Sequence, residues 1–101
     1  MSCHFKQRRK VVFSETDLAG IAHFSSFFPY MEDCEHSFYR SLGYSVTNML
    51  DDDGINIGWP RINVSCEYLK PLHFEDEFEI QLLVSEITNK TIKYESNFFD
   101  D

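Results

Sequence analysis

No stretch of this chain is apolar for long enough to span a membrane, and it carries neither a Gly-x-Ser-x-Gly elbow nor a glycine-rich phosphate loop. Its three cysteines, Cys3, Cys34 and Cys66, show no Cys-x-x-Cys spacing and cannot all pair, so reduced thiols are expected. Basic residues are scarce: nine Lys and Arg against 17 Asp and Glu give a formal charge of −8. A nucleic-acid-binding chain normally displays a dominant basic face, and that class is set aside. Residues 1–10 are polar and basic without an apolar run of signal-peptide type, so the expected location is cytoplasmic. Asp51-Asp52-Asp53-Gly54 resembles a calcium loop only superficially, since the alternate ligand positions are unfilled and no Glu closes it. No metal or organic cofactor is expected. The sequons at Asn63 and Asn89 are read as chance in an unsecreted protein.

What is present is enough for one compact domain over residues 1–101, with 43% apolar and 16% aromatic residues and no internal repeat. The chain is organised around residues 14–30, which follow the extended run Val11-Val12-Phe13 and precede the one clear amphipathic helix. Asp17 therefore falls in a strand-to-helix connection. Gly20 gives the freedom for a tight turn, and Ser25 and Ser26 suit the opening of a helix. The first N–H groups of a helix lack internal partners and carry the positive end of its dipole. A carboxylate a few residues before such donors suits acyl transfer. The N–H groups polarise a carbonyl oxygen while the carboxylate attacks the carbon or activates a water.

The remaining elements follow from periodicity. Residues 5–13 read as a first strand whose charged first half is not buried on both faces. Phe24, Phe27, Phe28, Met31, Cys34, Phe38 and Leu42 recur at spacings of three and four, which predicts one buried helical stripe. Gly43 is placed to end that helix in a left-handed cap. Pro29 fits only a first turn, so the helix either begins near Ser26 or begins near Phe24 with a bend. Alternation predicts strands over 62–68, 78–85 and 92–98, the last two joined by a turn at Thr88-Asn89-Lys90. One helix stripe and several single-faced strands make an α+β domain, a sheet wrapped around a helix.

Thr16-Asp17-x-x-Gly20-Ile21-x-His23, followed by a helix rich in Phe and Tyr, resembles the signature of the hotdog-fold acyl-CoA thioesterases, and within them the 4-hydroxybenzoyl-CoA thioesterase-like group. Gly58-x-Pro60, Val64-Ser65-Cys66, Tyr68-x-x-Pro71 and Asp76 continue it in order along essentially the whole chain. The resemblance implies an antiparallel hotdog sheet around a central helix, here without the last strand that family members carry, so that the chain reads as a truncated domain. It also implies hydrolysis of an acyl-CoA thioester by Asp17, as nucleophile or general base, with an oxyanion site at the helix start near His23, Phe24 and Ser25. Phe24 acts there through its backbone. One departure stands at Phe13, where related thioesterases often carry a Tyr whose hydroxyl is lacking here. Two subunits of the family join sheets edge to edge, which implies a homodimer or homotetramer and no nucleic-acid or membrane partner.

Other readings of the same residues stay open. Asp17 is also an ordinary turn residue, and His23 a packing or capping one. Glu32, Glu35 and His36 do not match a zinc motif and read as a solvent-exposed helix face, with Glu32 and Glu35 as reserve carboxylates because some thioesterases of this fold use a Glu on the central helix. Cys34 and Cys66 sit on apolar stripes and read as packing residues. Lys6, Arg8, Arg9 and Lys10, with Arg61 and Lys70, are either solvated strand-edge charges or the basic patch that the phosphates of coenzyme A require. Phe27, Phe28 and Tyr30 would line a pocket for an aromatic or medium acyl group. The alternatives to hydrolysis are a non-catalytic acyl-CoA-binding domain and a hotdog hydratase.

Overall fold

Alternating apolar and polar residues build the centre of the molecule. In the computed structural model, which describes residues 3–100, the strand Glu77–Ile87 (β2) turns Phe78, Ile80 and Leu82 inward to complete burial and leaves Glu77, Ser85 and Glu86 exposed. Each such side chain contributes about 1.5–3 kcal/mol when withdrawn from water. The strand Phe5–Lys10 (β1) pairs with β2 antiparallel from Phe5 opposite Leu82 to Lys10 opposite Glu77. The strand Ile92–Asp100 (β3) pairs along its other edge, from Ile87 opposite Ile92 to Phe78 opposite Asp100, with an irregularity between Val84 and Glu86. The sheet order is β1-β2-β3. The turn between β2 and β3 is closed by Thr88 N–H donating to the Thr91 carbonyl at 2.9 Å.

The helix Phe27–Ser41 (α1) lies on this sheet. A single 3-10 turn, Phe24–Ser26, precedes it, which puts Pro29 in the first turn of α1, where its missing N–H has no intrahelical partner to lose. Gly43 closes the other end at φ 90°, the left-handed position that glycine occupies without penalty. The buried stripe is Phe27, Tyr30, Cys34, Glu35 and Tyr39. That is a rotation from the expected one: Phe24 and Leu42 are exposed, and two tyrosines take core positions by satisfying their hydroxyls. Tyr30 donates to Glu15 Oε1 at 2.7 Å, and Tyr39 pairs with the Tyr94 hydroxyl on β3. The expected first strand also stops early. After Lys10 only Val11 stays buried, and the chain turns through Phe13–Glu15 so that Phe13 is exposed against Phe74.

The strand expected over 62–68 is absent. Residues 58–69 form no regular structure, Ile62 and Leu69 are largely exposed, and only Cys66 and Tyr68 reach the core residues around Phe27. Alternation makes a strand only where a neighbour offers hydrogen bonds, and here the facing edge of β3 stands across an open slot of about 1560 Å³. The slot is walled by Trp59–Leu72 on one side and by β3 on the other, and Phe27 of α1 touches both sides, with ring centroids 5.4 Å from Tyr68 and 5.3 Å from Phe98. The radius of gyration, 15.1 Å, exceeds the roughly 13 Å of a compact chain of this length because residues 42–71 stand largely outside the core.

Candidate active site

Asp17 and the start of α1 meet through a short loop folded back on itself. Thr16 and Ala22 form an antiparallel bridge, Asp17 N–H donates to the Ile21 carbonyl at 3.0 Å, and Gly20 N–H donates to the Asp17 carbonyl at 3.0 Å. Gly20 makes that turn possible at φ 77°. The Asp17 side chain is exposed, and its Oδ1 accepts the Ala19 N–H at 2.9 Å, which fixes the carboxylate while leaving Oδ2 without a hydrogen-bond partner among the described residues.

Glu15 ties this loop to the rest of the molecule. Its carbonyl accepts from His23 N–H at 2.8 Å and from the Ser26 hydroxyl at 3.0 Å, so both ends of the helix entry hang on one peptide oxygen. Its carboxylate accepts from the Tyr30 hydroxyl and from Val12 N–H. Arg9 lies 3.7 Å away, bonded at 2.9 Å to Asp33, with its guanidinium 5.0 Å from the Tyr30 ring centre. Burial and the adjacent Glu15 raise the Tyr30 pKa, so the hydroxyl stays a donor.

His23 caps the 3-10 turn. Its Nδ1 lies 2.8 Å from the Ser25 hydroxyl and accepts the Ser25 N–H at 3.3 Å. Phe24 opens the turn, so its N–H has no intrahelical partner. Its carbonyl accepts the Phe27 N–H and the Tyr68 hydroxyl, the latter at 3.0 Å.

Asp17, Ile21, Phe24, Phe27, Tyr68 and Lys70 line a cavity of about 370 Å³. Of the residues expected at the site, the structure brings Asp17 and Phe24 to one cavity, whereas the His23 and Ser25 side chains face each other outside its lining. Of the expected acyl lining only Phe27 belongs to it: Phe28 is not among the lining residues, and Tyr30 is 1% exposed, in the core. The larger slot is the neighbouring space. It shares Phe27 and Tyr68–Pro71 with the cavity but does not reach Asp17.

The reserve carboxylates stand elsewhere. Glu32 is exposed, but Glu35 is 6% exposed and accepts two hydrogen bonds from the Arg61 guanidinium, at 3.1 and 3.3 Å, which corrects the reading of a solvent-exposed helix face. That bidentate bond raises the Arg61 pKa further. Both carboxylates line the slot. Of the basic residues, Arg9 pairs with Asp33 and Glu15, and the exposed Lys70 pairs with Asp100 at 2.9 Å, whereas Lys6, Arg8 and Lys10 lie exposed along β1. Among the described residues, no group of three or more His, Cys, Asp or Glu could hold a metal ion, and no helix is long and apolar enough to cross a membrane. Sequence reasoning missed Glu15 and Tyr68 as parts of the site. The spacing of Glu15, three residues after Val12, resembles half of a capping box, and Tyr68 stood within a motif but was counted only as a strand position.

A helix packed on an antiparallel sheet is the hotdog architecture, and the chain belongs to the thioesterase superfamily: that family's profile matches residues 19–101. Among individual proteins, it is 38% identical over 90 residues to an Aquifex aeolicus protein bearing an esterase name, covering 89% of this chain and 68% of that one. It is 26% identical over 89 residues to the 1,4-dihydroxy-2-naphthoyl-CoA hydrolase of Prochlorococcus marinus, covering 83% of this chain but 57% of the other. The solved structure of a gentisyl-coenzyme A thioesterase superposes with a TM-score of 0.82 at 27% identity, over 94% of this chain and 75% of that one. Asp17 precedes the matched family segment by two residues.

Proposed function

We propose that the protein hydrolyses an acyl-CoA thioester, with Asp17 acting on the thioester carbon and the Phe24 N–H receiving its oxygen. The observation that carries this reading is the shared cavity. It joins a carboxylate with one unpartnered oxygen to a residue whose N–H opens the turn before α1. Two balanced routes fit. In one, an Asp17 oxygen attacks the carbon, the C–S bond breaks to release the CoA thiolate, and water cleaves the resulting anhydride to free acid and the restored carboxylate. In the other, Asp17 takes a proton from water as the hydroxide adds, and the proton passes to the departing sulfur. In both, the helix start stabilises the negative oxygen of the tetrahedral intermediate. The related hydrolase and thioesterase named above support the thioester class; the acyl group is left open by a cavity with aromatic and aliphatic walls.

A hydratase is less well supported, because His23 has Ser25 rather than a carboxylate as its partner. Hydrolysis measured against a panel of acyl-coenzyme A thioesters beside a binding titration tests the proposal. Release of free thiol supports it, and binding without turnover replaces it with the acyl-CoA-binding reading. Single turnover in ¹⁸O-labelled water then separates the two routes, since label enters the Asp17 carboxylate only through the anhydride.

A further inference from the structure

We propose that Glu15 is a positioning residue for the hydrolysis, its carboxylate clamping the arm of the loop that bears Asp17 to the first turn of α1; this rests on the thioesterase reading of the site. The two arms of the loop are held in different ways. The returning arm is fastened to the segment before β2: Ala22 N–H donates to the Leu72 carbonyl at 2.7 Å, Phe74 N–H donates to the Gly20 carbonyl at 3.1 Å, and Ile21 bridges to His73. The outgoing arm, residues 14–19, carries Asp17, and Glu15 is its link to α1. Among the described residues, no other side chain of that arm is hydrogen-bonded to the helix. Glu15 grips the helix entry at two heights. Its carbonyl holds the His23 N–H and the Ser26 hydroxyl, and its Oε1 accepts the Tyr30 hydroxyl at 2.7 Å. Tyr30 is a firm anchor, because its ring is 1% exposed and its centre lies 5.0 Å from that of Phe78 and 5.7 Å from that of Phe27. The same Oε1 accepts the Val12 N–H at 3.0 Å, which holds the carboxylate from the other side. Asp17 follows Glu15 by two residues, and His23, bonded to the Glu15 carbonyl, directly precedes the Phe24 N–H. The two groups that act on one thioester carbonyl are thus both placed relative to Glu15. A single point of attachment would let the arm pivot on the helix entry, and the carboxylate supplies the second.

Glu15→Ala removes the clamp and leaves the backbone pairing of the loop in place. Displacing a reacting group by about 1 Å can cost about a hundredfold. With the backbone pairing retained, kcat should fall by about 5–20-fold. KM should stay within about twofold, because Glu15 is not among the residues lining the cavity. Glu15→Gln keeps an oxygen for the Tyr30 hydroxyl and the Val12 N–H, and should recover most of the lost kcat. Tyr30→Phe keeps the core ring and removes the donor; it should reproduce part of the loss, and adding it to Glu15→Ala should lower kcat no further. Rates are read with benzoyl- and octanoyl-coenzyme A well below each variant's melting transition, where a clamp that served stability alone would leave the kcat of folded enzyme unchanged. Wild-type kcat in folded Glu15→Ala, a raised KM at unchanged kcat, or a Glu15→Gln variant as slow as Glu15→Ala overturns the positioning role while leaving Asp17 in place. Should Glu15→Ala not fold, Tyr30→Phe carries the test, and wild-type kcat there overturns the role equally. Full activity of Asp17→Asn, or no hydrolysis of any thioester by the wild type, overturns the underlying reading and this role with it.

Discussion

At the scale of single residues, Asp17 carries the sharpest expectation. Asp17→Asn keeps the Oδ1 contact to Ala19 N–H, so the loop should survive, but an amide neither attacks the thioester carbon nor accepts a proton from water. Positioned acid–base catalysis is typically worth about 10²–10⁴-fold, and kcat should fall by at least about a hundredfold with little change in KM; near-wild-type turnover in a folded variant sinks the assignment and moves attention to Glu32 and Glu35. His23→Ala should be milder, because the ring caps the turn while the backbone supplies the donors. Cys34 makes a pH-dependent expectation. It is 0% exposed, and burial, helped by the charge of Glu35, pushes its thiol pKa up to about 11 from 9.0. Below pH 9 the thiol is protonated in both states. Between pH 9 and 11 the unfolded chain releases that proton and the folded chain does not, so stability falls as pH rises through this window, by about 3 kcal/mol for a shift of this size. Urea melts at pH 8 and 10.5 should show a smaller difference in Cys34→Ala than in the wild type, although the variant starts less stable; an unchanged difference removes Cys34 as the cause.

At the scale of elements, α1 is fastened to the far side of the sheet by the paired hydroxyls of Tyr39 and Tyr94. Burial raises the pKa of both, so at neutral pH each is a protonated phenol whose polar end depends on the other. Replacing either with Phe leaves the other, part-buried hydroxyl without its partner and should cost about 0.5–1.5 kcal/mol, whereas replacing both should cost less than the sum. A double-mutant cycle that adds without interaction denies the pair any role. The same elements explain what the sequence could disclose. Gly43, the turn after β2 and the alternation of Phe78, Ile80 and Leu82 are local signals, and each was legible. Tyr30 and Glu35 were not, because their burial depends on Glu15 and Arg61, 15 and 26 residues away, and hydrophobic periodicity is blind to such pairing. Residues 62–68 failed in the opposite sense: their alternation is real, but a strand also requires a neighbour. At the site, the Asp17 loop was readable from Gly20 and the serines, and of the two helix starts that Pro29 allowed, the one near Ser26 is observed, with a 3-10 turn before it. Tyr68 reaches Phe24 across 44 positions, a contact no spacing rule anticipates.

At the scale of the whole molecule, β1 and β3 each end the sheet with an edge that no strand among the described residues pairs, and Phe13, Leu18 and Phe74 are exposed near the Asp17 loop. Unpaired edges and exposed apolar side chains favour association, and a homodimer or homotetramer is the expected state; a stable monomer by light scattering at micromolar concentration rejects it. The open slot beside β3 leads to a different kind of observation. Successive N–H groups along an edge strand point alternately toward the neighbouring strand and away from it. Along β3 the first set is bonded to β2, while the second faces the slot with no strand beside it among the described residues. Hydrogen–deuterium exchange resolved to single amides should therefore give a two-residue rhythm from Ile92 to Asp100, slow then fast, that β2 lacks because it is paired on both sides. Whatever comes to occupy the slot has to silence the fast half of that rhythm first.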